Sequence, residues 1–146
     1  MGQTTEFKLP HYHVTAGLIH HNGKILITQR QFNDAFGGLW EFPGGKQQPN
    51  ETLEQCLVRE IAEELDLPIR VGQKLMKVSH QYDQLKITLH VFWCTCLHDH
   101  PQSRGVAAWR WVEISDLGQF QFTAADLKVI AKLKRLQGKI SQLQAD

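Results

Sequence analysis

The stretch that decides the fold reads Gly45-Lys-Gln-Gln-Pro-Asn-Glu51-Thr-Leu-Glu-Gln-Cys-Leu-Val-Arg59-Glu60-Ile61-Ala-Glu63-Glu64-Leu-Asp66-Leu67. Thr52 with Gln55 three residues on is a capping box, and Glu51 and Glu54 place negative charge at the positive end of the helix it opens. Leu53, Leu57 and Ile61 recur every four residues as an apolar stripe, and Pro68 stops the helix. Glu60, Glu63 and Glu64 fall one turn apart on one side of this helix, where like charges repel by a few tenths of a kcal/mol per pair. Arg59 can answer Glu63 at i,i+4, which leaves Glu60 and Glu64 facing each other. Hard divalent cations take oxygen ligands, so a carboxylate cluster beside phosphates is one way to hold such an ion. A solvated acidic face is the plain alternative.

The flanks add to this. Phe42-Pro43-Gly44-Gly45 turns the chain just before the acidic helix, and its glycines let backbone approach a ligand closely. Asn22-Gly23 between two apolar runs signals a hairpin joining His13–Ile19 to Lys24–Gln29. Leu39–Phe42 reads as a short strand after a Gln31–Gly38 loop. Ile69–Ser79, Leu85–Leu97 and Ala108–Ile114 follow as strands, the second apolar on both faces and hence central. Thr123 with Asp126 repeats the capping-box pattern and opens a helix that Gly138 should end. The expected class is α/β (α+β), a mixed sheet with helices packed on it.

The order Gly, five residues, Glu, seven residues, Arg-Glu, an aliphatic, one residue, Glu-Glu, one residue, Asp66, Leu67 resembles the Nudix box. It departs only at Asp66, where the family has Gly, and Asp tolerates the left-handed conformation that such a Gly supplies. Leu39–Lys46, Ile27-Thr28-Gln29-Arg30, Ile87–Leu89 and Val129–Leu136 are similar to MutT-like members of that family. The resemblance implies a Nudix fold, a mixed β-sheet sandwiched between α-helices, as one domain over residues 1–146 with a core of about 11–137.

It also implies Mg²⁺-dependent hydrolysis, with Mn²⁺ as a substitute, of a nucleoside triphosphate to a monophosphate and pyrophosphate. The metal set would be Glu60 and Glu64, assisted by Glu63 and the Gly44 carbonyl. Glu51 would act behind them and Arg59 would orient the glutamates. Arg30 and Lys46 would contact phosphates or nucleotide. Phe42 and Tyr82 match positions lining the base pocket, and Asp126 matches the family's base-reading Asn. Many relatives carry another Glu shortly before the Trp that corresponds to Trp111. Arg104–Ala108 here holds no acid, which leaves the general base to Glu60 or Glu64, with Asp99 a more distant option. The implied substrate is 8-oxo-dGTP. A pyrimidine such as CTP or 5-methyl-dCTP is the alternative because Asp126 replaces Asn, and a non-catalytic nucleotide-binding module is the alternative of another class.

Composition sets outer bounds. The chain has 146 residues, 16 Lys+Arg, 15 Asp+Glu and a net charge of +1, which argues against a nucleic-acid polymer held by bulk electrostatics. Charge is uneven. Glu51–Asp66 holds six acids and one base, and Lys128–Lys139 holds five bases and no acid. Three cysteines, Cys56, Cys94 and Cys96, read as free thiols. His11-x-His13 and His20-His21 read as surface or strand-end groups, because no further ligands follow at zinc spacing. Met1–Pro10 has no apolar leader core, and no apolar run reaches the ~18 residues of a membrane span, so a cytoplasmic protein, monomer or homodimer, is expected.

Overall fold

The computed structural model describes residues 8–145, with side chains to residue 138. Most of Met1–Pro10, and the Lys139 side chain of the basic stretch, lie outside the described residues. The elements are β1 (His11–His21), β2 (Lys24–Gln29), β3 (Trp40–Glu41), α1 (Leu53–Leu65), β4 (Ile69–Gln81), β5 (Lys86–Cys96), β6 (Ala108–Val112), a 3-10 turn (Ile114–Gln119) and α2 (Ala124–Ala145).

The expected hairpin forms. Asn22 and Gly23 both take positive φ, 51° and 78°, the handedness that matches the twist of the β1 and β2 strands it joins. The sheet runs β3-β2-β1-β5-β4, with β6 on the other side of β2. β1 and β5 pair in parallel over His11–Ile19 and Lys86–Cys94, and the remaining ladders are antiparallel, so the sheet is mixed as expected.

β1 and β2 pair only at His20–His21 and then diverge. The free edge of β1 is filled by the Pro-Gly-Gly segment. Thr15 N–H donates to Gly45 O at 2.8 Å, Gly17 N–H to Pro43 O at 2.7 Å, and Gln47 N–H to His13 O at 2.9 Å. This is why β3 stops at Glu41 and not at Phe42. The chain leaves β2 to join β1.

Two apolar layers flank the sheet. Leu57, Ile61 and Leu65 of α1 pack with Ile19, Leu26, Phe92 and Cys94 on one face. Val129, Ile130 and Leu133 of α2 pack with Leu18, Ile27, Leu89 and Val91 on the other. The helices thus sandwich the sheet. Cys56, Cys94 and Cys96 are free thiols, the first two buried. Among the described residues no helix is long and apolar enough to cross a membrane.

Two local expectations change. Gly138 does not end α2, which runs to Ala145. A glycine inside a helix costs about 1 kcal/mol and stops it only by turning left-handed. The Thr123–Asp126 capping box does not form either. Thr123 N–H donates to Trp40 O at 3.2 Å, because the start of α2 docks on β3, and the Thr123 hydroxyl donates to Asp126 Oδ2 at 2.7 Å.

Candidate active site

α1 begins as its sequence dictates. Gln55 N–H donates to Thr52 Oγ1 at 3.1 Å, and Thr52 N–H donates to Gln55 Oε1 at 2.9 Å. It ends at Asp66, whose φ of 49° and ψ of 41° place it in the left-handed region, with its N–H on Ala62 O. Asp therefore performs the turn for which the family pattern has Gly. Gln102, Arg104 and Gly105 cover this end, their amides donating to Leu65 O (2.8 Å) and Glu64 O (2.9 and 3.1 Å).

Arg59 is the hub of the acidic face. Its Nη2 and Nε donate to Glu51 at 2.7 and 3.0 Å, a two-pronged grip. Its Nη1 donates to Glu60 Oε1 at 3.0 Å and to Glu63 Oε2 at 3.3 Å, and Nη2 also reaches Lys46 O at 3.1 Å. The Arg59 guanidinium, together with the Gln48 amide, holds Glu51 down at about 2. Glu51 and Glu60 in turn raise the Arg59 guanidinium further.

Glu60 and Glu64 behave differently. Burial pushes Glu60 up despite Arg59. Burial, with the charges of Glu60 and Glu41 behind it, pushes Glu64 up to about 8. Glu60 and Glu64 line a cavity of about 390 Å³ together with Arg30, Glu41, Phe42, Gly44, Gly45, Lys46, Tyr82 and Asp126. Glu63 does not line it. It is drawn outward to Arg59 and is exposed.

The glycines set how closely this helix face meets the sheet. A Cβ on Gly44 would stand 1.9 Å from Thr15 O, and one on Gly45 would stand 2.4 Å from Glu60 Oε2. Because Pro43 O and Gly45 O both point at β1, the Gly44 carbonyl between them turns the other way. Among the described residues no three acidic, imidazole or thiol groups already form a closed cage. The donor set still fits a hard divalent cation: all-oxygen ligands, with Glu60 held by Arg59 through one oxygen and Glu64 in no ion pair among the described residues.

Phe42, Tyr82 and Asp126, expected on the base side, line the same cavity. Phe42 is buried against Phe122 (ring centroids 5.5 Å apart), so it serves the core as well as the cavity wall. Tyr82 lies 4.8 Å from the Phe36 ring, and its hydroxyl accepts from Ala125 N–H at 3.3 Å. Asp126 is 4% exposed, and its Oδ1 has no partner among the described residues. Burial, then the nearby Glu41 charge, pushes Asp126 up to about 8. A shift in that direction favours the neutral acid. It can therefore donate as well as accept, where an ionised Asp would only accept.

Arg30 lines the cavity but holds both oxygens of Glu41 at 3.2 Å and the carbonyl of Ala35 at 2.8 Å. Asp99 is placed elsewhere, near His21 (3.7 Å) and His100 (3.2 Å), with its carbonyl on the Trp111 indole (3.1 Å). It is no part of the cavity lining. His11 and His13 are exposed at a strand start, as expected, but His90 is buried, with His13 Nδ1 at 3.0 Å and Lys74 Nζ at 2.7 Å.

Among the lining residues that escape a reading of the sequence are Glu41, Tyr12 and Phe36. Glu41 sits between two aromatic residues at the end of β3, and a charge in that apolar run is its one local signal. Tyr12 lies under Lys46, and Phe36 takes a φ of 59° in the Gln31–Gly38 loop. Neither carries a local signal.

The NUDIX domain family matches residues 14–132. CTP pyrophosphohydrolase of Escherichia coli (strain K12) is 32% identical over 124 residues, covering 85% of this chain and 92% of that protein. 8-oxo-dGTP diphosphatase of the same organism is 32% identical over 124 residues, covering 84% and 96%. The crystal structure of MutT protein from Methanosarcina mazei Go1 superposes with a TM-score of 0.81 at 24% identity, over 90% of this chain and 99% of that one, a likeness of fold. With the Arg59-centred glutamates, the left-handed turn at Asp66 and the helix–sheet–helix layers all in place, the chain belongs to the NUDIX domain family and is a Nudix hydrolase.

Proposed function

We propose that this Nudix nucleotide pyrophosphohydrolase cleaves a nucleoside triphosphate to its monophosphate and pyrophosphate, with 8-oxo-dGTP as the preferred substrate and Mg²⁺, or Mn²⁺ in its place, as the metal. The observation that carries this reading is a shared cavity. It joins the paired carboxylates Glu60 and Glu64 to a buried Asp126 whose Oδ1 lacks a partner among the described residues. A site built for phosphates alone has no use for a buried, half-satisfied polar group beside Phe42 and Tyr82.

Glu60, Glu64 and the Gly44 carbonyl would hold the metal, with Glu63 assisting from the rim. Bound there, a divalent cation neutralises phosphate oxygens and lowers the pKa of an attacking water. Arg59 fixes Glu60 and Glu51 in orientation. Glu64, which has no hydrogen bond from a described side chain, is the carboxylate that takes the water proton as oxygen bonds to phosphorus and the anhydride bond breaks. Arg30 and Lys46 supply positive charge to the substrate. Phe42 and Tyr82 offer ring surface to the base. A neutral Asp126 presents a donor and an acceptor side by side, which complements the O6 and N1–H edge of a guanine.

The same edge also complements N3 and the amine of cytosine. The CTP pyrophosphohydrolase relative, matched over 92% of its length, supports that second reading. A non-catalytic module is disfavoured by the complete acid set and its Arg59 hub. The test is a panel of normal, oxidised and methylated nucleoside triphosphates incubated with Mg²⁺, with the products separated. The expected result is pyrophosphate, fastest from 8-oxo-dGTP. Orthophosphate as the product, or no turnover on any member, overturns the reaction, and a preference for CTP moves the substrate to the pyrimidine reading.

A further inference from the structure

Two cations line the cavity, Arg30 and Lys46. Arg30 is engaged with Glu41. Lys46 has no acid within ion-pair distance among the described residues, and its Nζ stands 4.1 Å from the centroid of the Tyr12 ring. The Lys46 backbone is fixed from two sides, by its bridge to Val14 on β1 and by Arg59 Nη2 on its carbonyl at 3.1 Å. Beyond the backbone, four rotatable bonds carry the ammonium, and the Tyr12 ring is its contact among the described residues. Tyr12 is itself set by the parallel ladder, opposite Ile87, and its ring lines the same cavity.

We propose that Tyr12 is a positioning residue for the phosphate chain of the substrate: its ring face parks the Lys46 ammonium inside the cavity, where the triphosphate meets it already oriented. The proposal rests on the triphosphate reading above. An ammonium over an aromatic face is attracted by the ring quadrupole, and at a partly exposed site that attraction corresponds to about a three- to five-fold change in an equilibrium. The attraction needs the ring and not the hydroxyl, so Tyr12→Phe keeps it and Tyr12→Leu removes it.

The test uses the full chain with Mg²⁺ and two probes. One is inorganic tripolyphosphate, titrated calorimetrically. The other is the nucleoside triphosphate turned over fastest in the panel. Tyr12→Leu is expected to weaken tripolyphosphate binding and raise KM by about three- to five-fold, with kcat within about two-fold of the parent. Tyr12→Phe should match the parent, and Tyr12→Leu should add nothing in a Lys46→Met background. Additive losses, tighter binding by Tyr12→Leu, or equal losses in the Phe and Leu variants overturn the proposal. Should Tyr12→Leu not fold, the unmodified protein still decides: the Lys46 ε-methylene protons must be shifted upfield by the ring, and random-coil positions refute the contact. Because tripolyphosphate binding and this shift need no turnover, failure of the nucleotide reading is told apart from failure of the role of Tyr12.

Discussion

A Cβ at position 45 would stand 2.3 Å from Cδ of Glu60, closer than any side chain can be accommodated without moving the carboxyl. The neighbour differs in kind. At Gly44 the obstacle is the Thr15 backbone, 1.9 Å from a Cβ. Gly45→Ala should therefore displace Glu60 and lower turnover by about 100-fold while the melting temperature changes little. Gly44→Ala should instead loosen the ladder to β1 and lower stability by about 2 kcal/mol or more. Turnover and thermal melting, measured on both variants, check the contrast.

Glu60→Gln and Glu64→Gln should each abolish most activity without unfolding the chain. Mg²⁺ should raise the melting temperature of the parent, and EDTA should reverse the rise. Both variants should respond less to Mg²⁺. A fully active Gln variant would show that the carboxylate is not a metal ligand.

Arg59→Lys retains charge but cannot span Glu51, Glu60 and Glu63 with a planar fork. A loss of about ten- to a hundred-fold in kcat is expected, because the carboxylates are present but no longer held. Steady-state kinetics with unchanged far-ultraviolet dichroism would identify this as misorientation and not unfolding.

Asp126 is pushed up to about 8 from an ordinary 3.8, chiefly by burial. Its stabilising contribution is greatest at low pH, where the group is protonated folded or unfolded, and is lost as pH rises toward and through 8. Asp126→Asn removes that slope. The variant should melt close to the parent below about pH 4 and increasingly above it as pH rises through 8, and its nucleotide preference should shift. A pH series of melting curves checks the first point and the nucleotide panel the second.

His90 has the opposite sign. Burial, with Lys74 and His13 alongside, lowers it to about 4 from 6.5. Its contribution is present above pH 6.5 and is lost as pH falls toward 4. His90→Gln should flatten the acid side of the stability profile, seen as a smaller drop in melting temperature between pH 7 and pH 4.5.

The sequence makes the helix-borne half of the site legible because a helix has a fixed period and punctuated ends. Thr52, Arg59, Glu60, Glu64 and Asp66 stand where spacing places them, and the Asn22-Gly23 hairpin and central β5 follow from turn chemistry and alternation. Lys46 is legible as a charge. Its seat on Tyr12 is not, since the two are brought together by a ladder between segments 34 positions apart in the chain. The same holds for Glu41, whose partner Arg30 lies across the β2–β3 pairing. The failed cap at Thr123 shows tertiary contact overriding a local pattern: Trp40 takes the amide hydrogen that the motif would have used internally.

The Pro43–Gln47 segment is bonded to β1 as though it were a strand, whereas the Gln31–Gly38 loop bonds mainly to itself and to Arg30 and Leu39. Amide hydrogens of Thr15 and Gly17 should accordingly exchange with solvent as slowly as those of the central sheet, and those of Asp34 and Gly37 far sooner. The carboxylate side of the cavity thus abuts the segment tied to the sheet, whereas Phe36 of the opposite wall sits on a loop held mostly by its own hydrogen bonds. A change at Phe36 is accordingly expected to alter the nucleotide preference proposed above and to leave Glu60 and Glu64 in place.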